Sequence, residues 1–142
     1  MGRRLRVEAD GGSRGNPGVA GYGALVRDRA SGALLVELAA PLGKASNNVA
    51  EYRGMIAGLE AVLRIDPSAD VEVAMDSKLV VEQMSGRWKI KHADMRALAL
   101  TARDLLADIT QAGGSVRFTW IPRAQNGDAD ALSNRGMDGD HV

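Results

Sequence analysis

The spacing of apolar residues changes along this chain, and that change restricts the folds it can adopt. In the first segment, Leu5, Val7 and Ala9 alternate with polar residues, which predicts a half-buried strand that ends at Asp10. Two more strands are expected over 19–28 and 33–39, joined around Ser31-Gly32. The Gly-rich stretch 11–18 is predicted to be the turn between the first two. The chain therefore opens as an antiparallel meander.

After the meander, apolar residues recur at every third or fourth position from Val49 to Leu63, which predicts an amphipathic helix. Further strands are expected at 71–75 and 116–120, and further helices from Ser77 to about Gly86 and over 95–109. A last helix is expected from Asn126, which can cap it, to about residue 137. The order βββαβααβα predicts an α/β fold with a five-stranded mixed sheet and helices on its faces. A length of 142 residues fits a single domain, 1–142.

Composition excludes several classes of site and partner. The chain has no cysteine and only two histidines, so disulfides, thiolate zinc sites and histidine-built metal sites are excluded. Its formal net charge of zero argues against indiscriminate electrostatic binding to nucleic acid. No apolar run reaches the roughly 20 residues of a membrane span, and no signal-peptide core is present, so we expect no membrane contact and a cytoplasmic location.

Four carboxylates lie where predicted elements begin or end, and each has a structural alternative. Asp10 could form a turn before Gly-Gly, and Asp76 could cap the helix that follows it. Glu51 could form a capping box with Asn48. Asp130 could offset the dipole of the last helix. Taken singly, each acid is explained by local structure.

Taken together, the four acids predict a metal site. Clustered carboxylates repel one another, and hard divalent cations such as Mg²⁺ take oxygen ligands. Asp128 and Asp130 both fall in the first turn of the last helix, but they point about 200° apart, at about 100° per residue. Only one of them can therefore face a site shared with the other acids.

Five motifs, in order and with compatible spacing, resemble type 1 ribonuclease H. They are DGGSRGNPG at 10–18, NNVAEY at 47–52, MDSK at 75–78, WIPR at 120–123 and NGDADAL at 126–132. The resemblance extends from about residue 3 to residue 137, and the element order βββαβααβα is also that of the family. Within the bacterial ribonuclease HI proteins, NNVAEYRG at 47–54 and DSKLVVEQMSGRWK at 76–89 resemble an actinobacterial subgroup.

The resemblance implies hydrolysis of the RNA strand of an RNA–DNA hybrid, leaving 5′-phosphate and 3′-hydroxyl ends, as in the removal of RNA primers and R-loops. It implies two Mg²⁺ ions per site, with Mn²⁺ as an alternative, which activate water and stabilise the leaving oxygen. The implied catalytic and metal-binding acids are Asp10, Glu51, Asp76 and Asp130. Asp130 is preferred to Asp128 because the family acid precedes the first apolar residue of the helix, here Leu132, by two positions.

The same resemblance implies the substrate contacts. Contacts to the 2′-hydroxyl groups that distinguish RNA from DNA are expected from the first turn and the Asn pair. The residues concerned are Gly11, Gly12, Asn16, Asn47 and Asn48. A basic stretch with Trp88, Lys89 and Lys91 is expected to contact the DNA strand, and Arg123 a phosphate. Alternatively, Asn16 only stabilises the turn, and Trp88 is half-buried and closes the junction between two helices.

The chain departs from some members of the family. It lacks the basic, Trp-rich extension after the second helix, and it has no histidine in the loop 122–130. In part of the subgroup this domain is fused to a C-terminal histidine-phosphatase-like domain, so a covalently fused C-terminal domain in a longer protein is an open alternative. The alternative functions are a hybrid-binding module without catalysis, and a nuclease or integrase acting on DNA. The presence of all four acids disfavours the first, and the Asn pair and Gly-rich turn disfavour the second.

Overall fold

The structure, a computed structural model, describes residues 2–142. The strands are β1 (Arg4–Arg14), β2 (Gly18–Asp28), β3 (Leu34–Ala45), β4 (Asp70–Met75) and β5 (Ser115–Trp120). The helices are α1 (Asn47–Ile65), α2 (Lys78–Met84), α3 (Ala93–Gln111) and α4 (Gly127–Met137), with a 3₁₀ turn at Arg123–Gln125. The predicted order βββαβααβα is confirmed.

The five strands form one mixed sheet in the order β3-β2-β1-β4-β5. The first three strands are antiparallel neighbours, whereas β4 runs parallel to β1 and β5 runs parallel to β4. Helices cover both faces: at Gly11 the strand β1 meets α1, and at the next residue, Gly12, it meets Met137 of α4. Successive strand residues point to opposite faces, so α1 and α4 lie on opposite sides of the sheet.

The main core lies between the sheet and α1, α2 and α3. Leu5 and Val7 of β1, Val73 of β4 and Leu59 of α1 are completely buried there. Each such side chain contributes about 1.5–3 kcal/mol relative to an exposed one. This core fixes β1 and β4 against α1, so it positions Asp10 of β1, Glu51 of α1 and Asp76, which directly follows β4.

The Gly-rich stretch was predicted to be a turn, and this is wrong for its first half. Strand β1 continues through Gly11 to Arg14, and the turn is confined to residues 15–17. A Cβ at Gly11 would overlap the carbonyl carbon of Ala50. Glycine is therefore required by the close approach of α1, and Asp10 lies inside a strand, not at its end.

Residues 85–92 connect α2 to α3 without a further helix, as expected from the missing extension. We call this segment the basic loop, because it carries Arg87, Lys89 and Lys91. None of the helices within residues 2–142 is long and apolar enough to cross a membrane.

Candidate active site

Three acids from distant parts of the chain converge at one end of the sheet. Asp10, Glu51 and Asp76 each present an oxygen atom within 4.8 Å of those of the other two. The parallel pairing of β1 with β4 ends at Glu8 and Ala74, and the acids lie just beyond this point. Open α/β sheets form their binding crevices beyond the carboxyl ends of such strands. Here the crevice is a cleft of about 370 Å³, which Asp130 also lines.

Glu51 projects into the cleft from the second turn of α1 instead of capping that helix. The cap is Ser46, whose Oγ accepts a hydrogen bond from the backbone N–H of Val49 at 3.2 Å. The predicted alternative of a capping box with Asn48 is therefore wrong. The Oε2 atom of Glu51 is buried and has no hydrogen-bond partner. A buried carboxylate oxygen without a partner is costly, and a cation would remove that cost.

Asp76 is likewise not a helix cap, because Ser77 accepts the hydrogen bond from Val80 at the start of α2. Its Oδ1 atom instead accepts a hydrogen bond from the side-chain amide of Asn126 at 3.2 Å. The same Asn126 nitrogen donates to the carbonyl of Ala9 at 3.0 Å. Asn126 therefore links the strand of Asp10 to the carboxylate of Asp76.

The role of Asn126 was missed in the sequence, where the residue was predicted to cap α4. It occupies the cap position but makes no side-chain cap hydrogen bond, and it is completely buried. No local pattern distinguishes the two roles, because an asparagine before a helix is a common cap. Its partners Ala9 and Asp76 are 117 and 50 residues away.

Asp128 and Asp130 lie on different sides of the first turn of α4. Asp130 lines the cleft with the other three acids. Asp128 forms an ion pair with Arg27 of β2, and 69% of its side chain is exposed. The structure thus places Asp130, and not Asp128, beside the acid cluster.

The acids of the cleft strongly perturb one another. Burial raises the pKa of Asp10 to about 7, with further contributions from the Asp76 charge and from a hydrogen bond and repulsion involving Asp130. Burial raises the pKa of Glu51 well above its ordinary value, and the charges of Asp10 and Asp76 add to this. Such perturbed acids in a cleft are typical of functional sites. The donor set is all oxygen, so these residues fit hard divalent cations.

The raised pKa of Asp10 predicts how the stability of the metal-free protein depends on pH. The unfolded chain releases the Asp10 proton near pH 3.8, whereas the folded protein keeps it until about pH 7. The contribution of Asp10 to the free energy of unfolding is therefore fully present below pH 4 and is lost as the pH rises to 7. We expect metal-free Asp10→Asn to match wild type at pH 4 and to exceed its free energy of unfolding by about 4 kcal/mol at pH 8.

Chemical unfolding in a chelator across this pH range measures the difference. Asp104→Asn, on the exposed surface of α3, is the control and should show no such pH-dependent gain. A constant difference between Asp10→Asn and wild type from pH 4 to pH 8 would contradict the prediction.

The predicted substrate residues fall into two groups, of which the first borders the acid cleft. Gly11, Gly12, Asn47 and Arg123 line it. The side-chain oxygen of Asn47 accepts a hydrogen bond from the backbone N–H of Ser13 at 2.7 Å, so its NH₂ group is the part available to substrate. Asn16 accepts a hydrogen bond from the Asn47 backbone N–H at 3.0 Å, which ties the β1–β2 turn to the start of α1.

The second group lines a separate groove between α1 and the basic loop. Asn48, Trp88, Lys89 and Lys91 border this groove. Trp88 is 45% exposed, so a large part of its ring is accessible. Arg87 also lines the groove, but its guanidinium is bound to Glu82 at the end of α2, which raises the pKa of Arg87. The two lysines are therefore the better candidates for contacts to a nucleic-acid backbone.

Comparison with known proteins agrees with this fold. Residues 8–136 match the family described as reverse transcriptase-like. The chain is 50% identical over 135 residues to the bifunctional protein Rv2228c of Mycobacterium tuberculosis, a match that covers 95% of this chain and 36% of that protein. The chain thus spans about a third of the length of this relative.

Solved structures of similar size also superpose closely. Ribonuclease H1 from Halobacterium salinarum is 38% identical with a TM-score of 0.87, and the match covers 95% of this chain and 98% of that one. The LC11 ribonuclease H1, solved with an RNA/DNA hybrid, is 35% identical with a TM-score of 0.88, covering 95% and 97%. These identities over nearly the whole of each chain, together with the shared fold, show that this chain belongs to the ribonuclease H family.

Proposed function

We propose that this chain hydrolyses the RNA strand of RNA–DNA hybrids at the acid cleft, leaving 5′-phosphate and 3′-hydroxyl ends. The observation that carries the proposal is the convergence of Asp10, Glu51 and Asp76, with one buried carboxylate oxygen that lacks a partner. A related ribonuclease H1 has been solved in complex with an RNA/DNA hybrid, which supports the substrate class. Such an activity would serve to remove RNA primers and R-loops.

Asp10, Glu51, Asp76 and Asp130 are the residues we propose to hold two Mg²⁺ ions, with Mn²⁺ as an alternative. The chemistry such ions supply when bound is activation of a water molecule and stabilisation of charge on the leaving 3′-oxygen. The protein's own contribution is to hold its carboxylates in place before substrate arrives. Asn126 fixes Asp76 relative to β1, and α1 brings Glu51 against Gly11. This preorganisation lowers the cost of reaching the reactive geometry.

Recognition of the RNA strand is assigned to the polar groups beside the acids. The backbone at Gly11 and Gly12 and the side-chain NH₂ of Asn47 border the cleft, where they can contact a 2′-hydroxyl group. Arg123 lies at the same cleft and is suited to bind a phosphate near the reacting bond. Asn48 was expected to contact the RNA strand together with Asn47, but it borders the separate groove with Trp88, and we assign this groove to the DNA strand.

Cleavage of matched substrates tests the function. Purified protein with Mg²⁺ is expected to cut the RNA strand of a hybrid and to leave duplex DNA intact. Chelation of the metal should abolish cutting. Cleavage of duplex DNA at the rate seen for the hybrid would favour the alternative of a DNA nuclease, and binding of the hybrid without cleavage would favour a hybrid-binding module.

The basic loop gives a prediction for the salt dependence of binding. For double-stranded DNA, log K falls against log salt with a slope of about −0.9 per phosphate neutralised, and we expect about three to five such contacts for the hybrid. Replacing Lys89 and Lys91 together by Ala should weaken binding and flatten this slope by about two units. Turnover at saturating hybrid should stay nearly unchanged, because neither lysine lines the acid cleft.

Binding titrations at several salt concentrations measure the slope, with Arg64→Ala as the control. Arg64 is exposed at the last turn of α1, whereas Asn48 and the groove lie at its first turn. An unaltered slope in the double lysine variant would show that the hybrid is bound elsewhere.

A further inference from the structure

Two buried polar side chains connect the core to the basic loop and take no part in the acid cleft. Tyr52 of α1 is completely buried, and its hydroxyl donates a hydrogen bond to Oε1 of Gln83 at 2.6 Å. Gln83 of α2 is 2% exposed, and its Nε2 donates to the backbone carbonyl of Lys89 at 3.1 Å. The two side chains thus form a continuous chain of hydrogen bonds from α1 to the loop.

The core by itself gives no reason for these two polar side chains. Their surroundings include the apolar side chains of Val80, Met84 and Met95, which belong to the same buried cluster as Tyr52. Burial of polar groups is unfavourable unless each finds a partner, and an apolar pair of similar size would pack there without that condition. Burial raises the pKa of Tyr52 to about 12, so its hydroxyl keeps the proton that it donates.

The hydrogen bond to Lys89 holds the backbone of the second half of the basic loop. The first half is held by backbone hydrogen bonds, since the N–H groups of Arg87 and Trp88 both donate to the carbonyl of Glu82. Residues 89–91 belong to no helix or strand. Ile90 packs its side chain against the core, and the Gln83 amide adds a side-chain hydrogen bond to the backbone of this second half, which carries both lysines of the groove.

We propose that Gln83, oriented by Tyr52, is a positioning residue for nucleic-acid binding that holds the basic loop in the conformation able to contact the DNA strand. The inference rests on the proposed function, because it assumes that the groove beside Asn48 binds a hybrid. A loop held in place before binding avoids the loss of conformational freedom that a mobile loop would suffer on binding. Removing the anchor should therefore weaken affinity without altering the acid cleft.

A pair of apolar substitutions separates this role from a purely structural one. Gln83→Met and Tyr52→Phe each leave a buried polar group without its partner, and each should lower the melting temperature by about 4 °C. The double variant lacks both the Tyr52 hydroxyl and the Gln83 amide, so neither is left buried without its partner. Its melting temperature should therefore return to within about 2 °C of wild type. The Lys89 carbonyl nevertheless stays unanchored, so the double variant should bind hybrid about three- to tenfold more weakly.

Binding is measured in an Asp76→Asn background, so that the hybrid stays intact, and turnover is measured separately with Asp76 restored. We expect KM to rise with the dissociation constant while kcat changes less than twofold. Gln111→Met makes the same replacement on an exposed glutamine at the end of α3 and should leave affinity unchanged.

Wild-type affinity in the stable double variant would overturn the proposal, since the hydrogen-bond chain would then serve the core alone. A fall in kcat with unchanged KM would overturn it as well. If wild-type protein bound no hybrid, or if the double lysine variant bound it as tightly as wild type does, the proposed use of the groove would fail, and this inference with it.

Discussion

Asp76→Asn is expected to reduce cleavage about a thousandfold or more while the fold survives. The substitution removes one negative ligand from a site whose proposed chemistry depends on charge stabilisation worth several kcal/mol, and each 1.36 kcal/mol corresponds to about tenfold in rate. The side-chain oxygen of asparagine can still accept the hydrogen bond from Asn126, so the local structure is retained. Single-turnover cleavage of a hybrid at saturating Mg²⁺ measures the loss.

The same variant should be at least as stable as wild type when metal is absent, because one of the mutually repelling charges has been removed. Thermal unfolding in a chelator checks this. Asp104→Asn changes an exposed acid on α3 and should leave both cleavage and stability near wild type. Cleavage by Asp76→Asn within tenfold of wild type would disprove the assignment of this residue.

Asp130→Ala is expected to lower kcat by about 100-fold or more, whereas Asp128→Ala should change it less than threefold. Residues that only orient a metal ligand typically contribute 10- to 100-fold, so a direct ligand should contribute at least the upper value. Asp130 lines the cleft, whereas Asp128 is paired with Arg27 outside it. Because that pair is largely exposed on the Asp128 side, its loss should cost less than about 1 kcal/mol of stability.

Steady-state cleavage together with Mg²⁺ titration of the substrate-free protein distinguishes the two variants. Asp130→Ala should also weaken Mg²⁺ binding, while Asp128→Ala serves as its matched control on the same helical turn. Equal losses in the two variants, or the reverse order, would show that the proposed orientation of α4 toward the metals is wrong.

Local spacing of residues was sufficient to predict much of the molecule. The alternation of Leu5, Val7 and Ala9 predicted β1, and the three-and-four spacing from Val49 predicted α1, because these periods follow from the geometry of strands and helices. The absence of cysteine and the scarcity of histidine limited any metal site to oxygen ligands. The helical repeat also predicted that Asp128 and Asp130 face different directions.

Tertiary structure decided which of the local alternatives applies. Ser46 and Ser77 cap α1 and α2, which leaves Glu51 and Asp76 to the cleft. Asn126 looked like a cap and instead joins β1 to Asp76. The same short polar side chains can cap a helix or line the cleft. Which of the two a given residue does depends on the distant segments that pack beside it.

The glycine-rich stretch shows the same limit. Gly11 was predicted to be part of a turn because glycine is common in turns, but it lies in a strand where α1 leaves no room for a Cβ atom. A local sequence pattern predicts which conformations the backbone of a segment can adopt. The space around that backbone is set by elements far away in the chain, here the helix that carries Glu51, and it becomes known only when those elements have packed together.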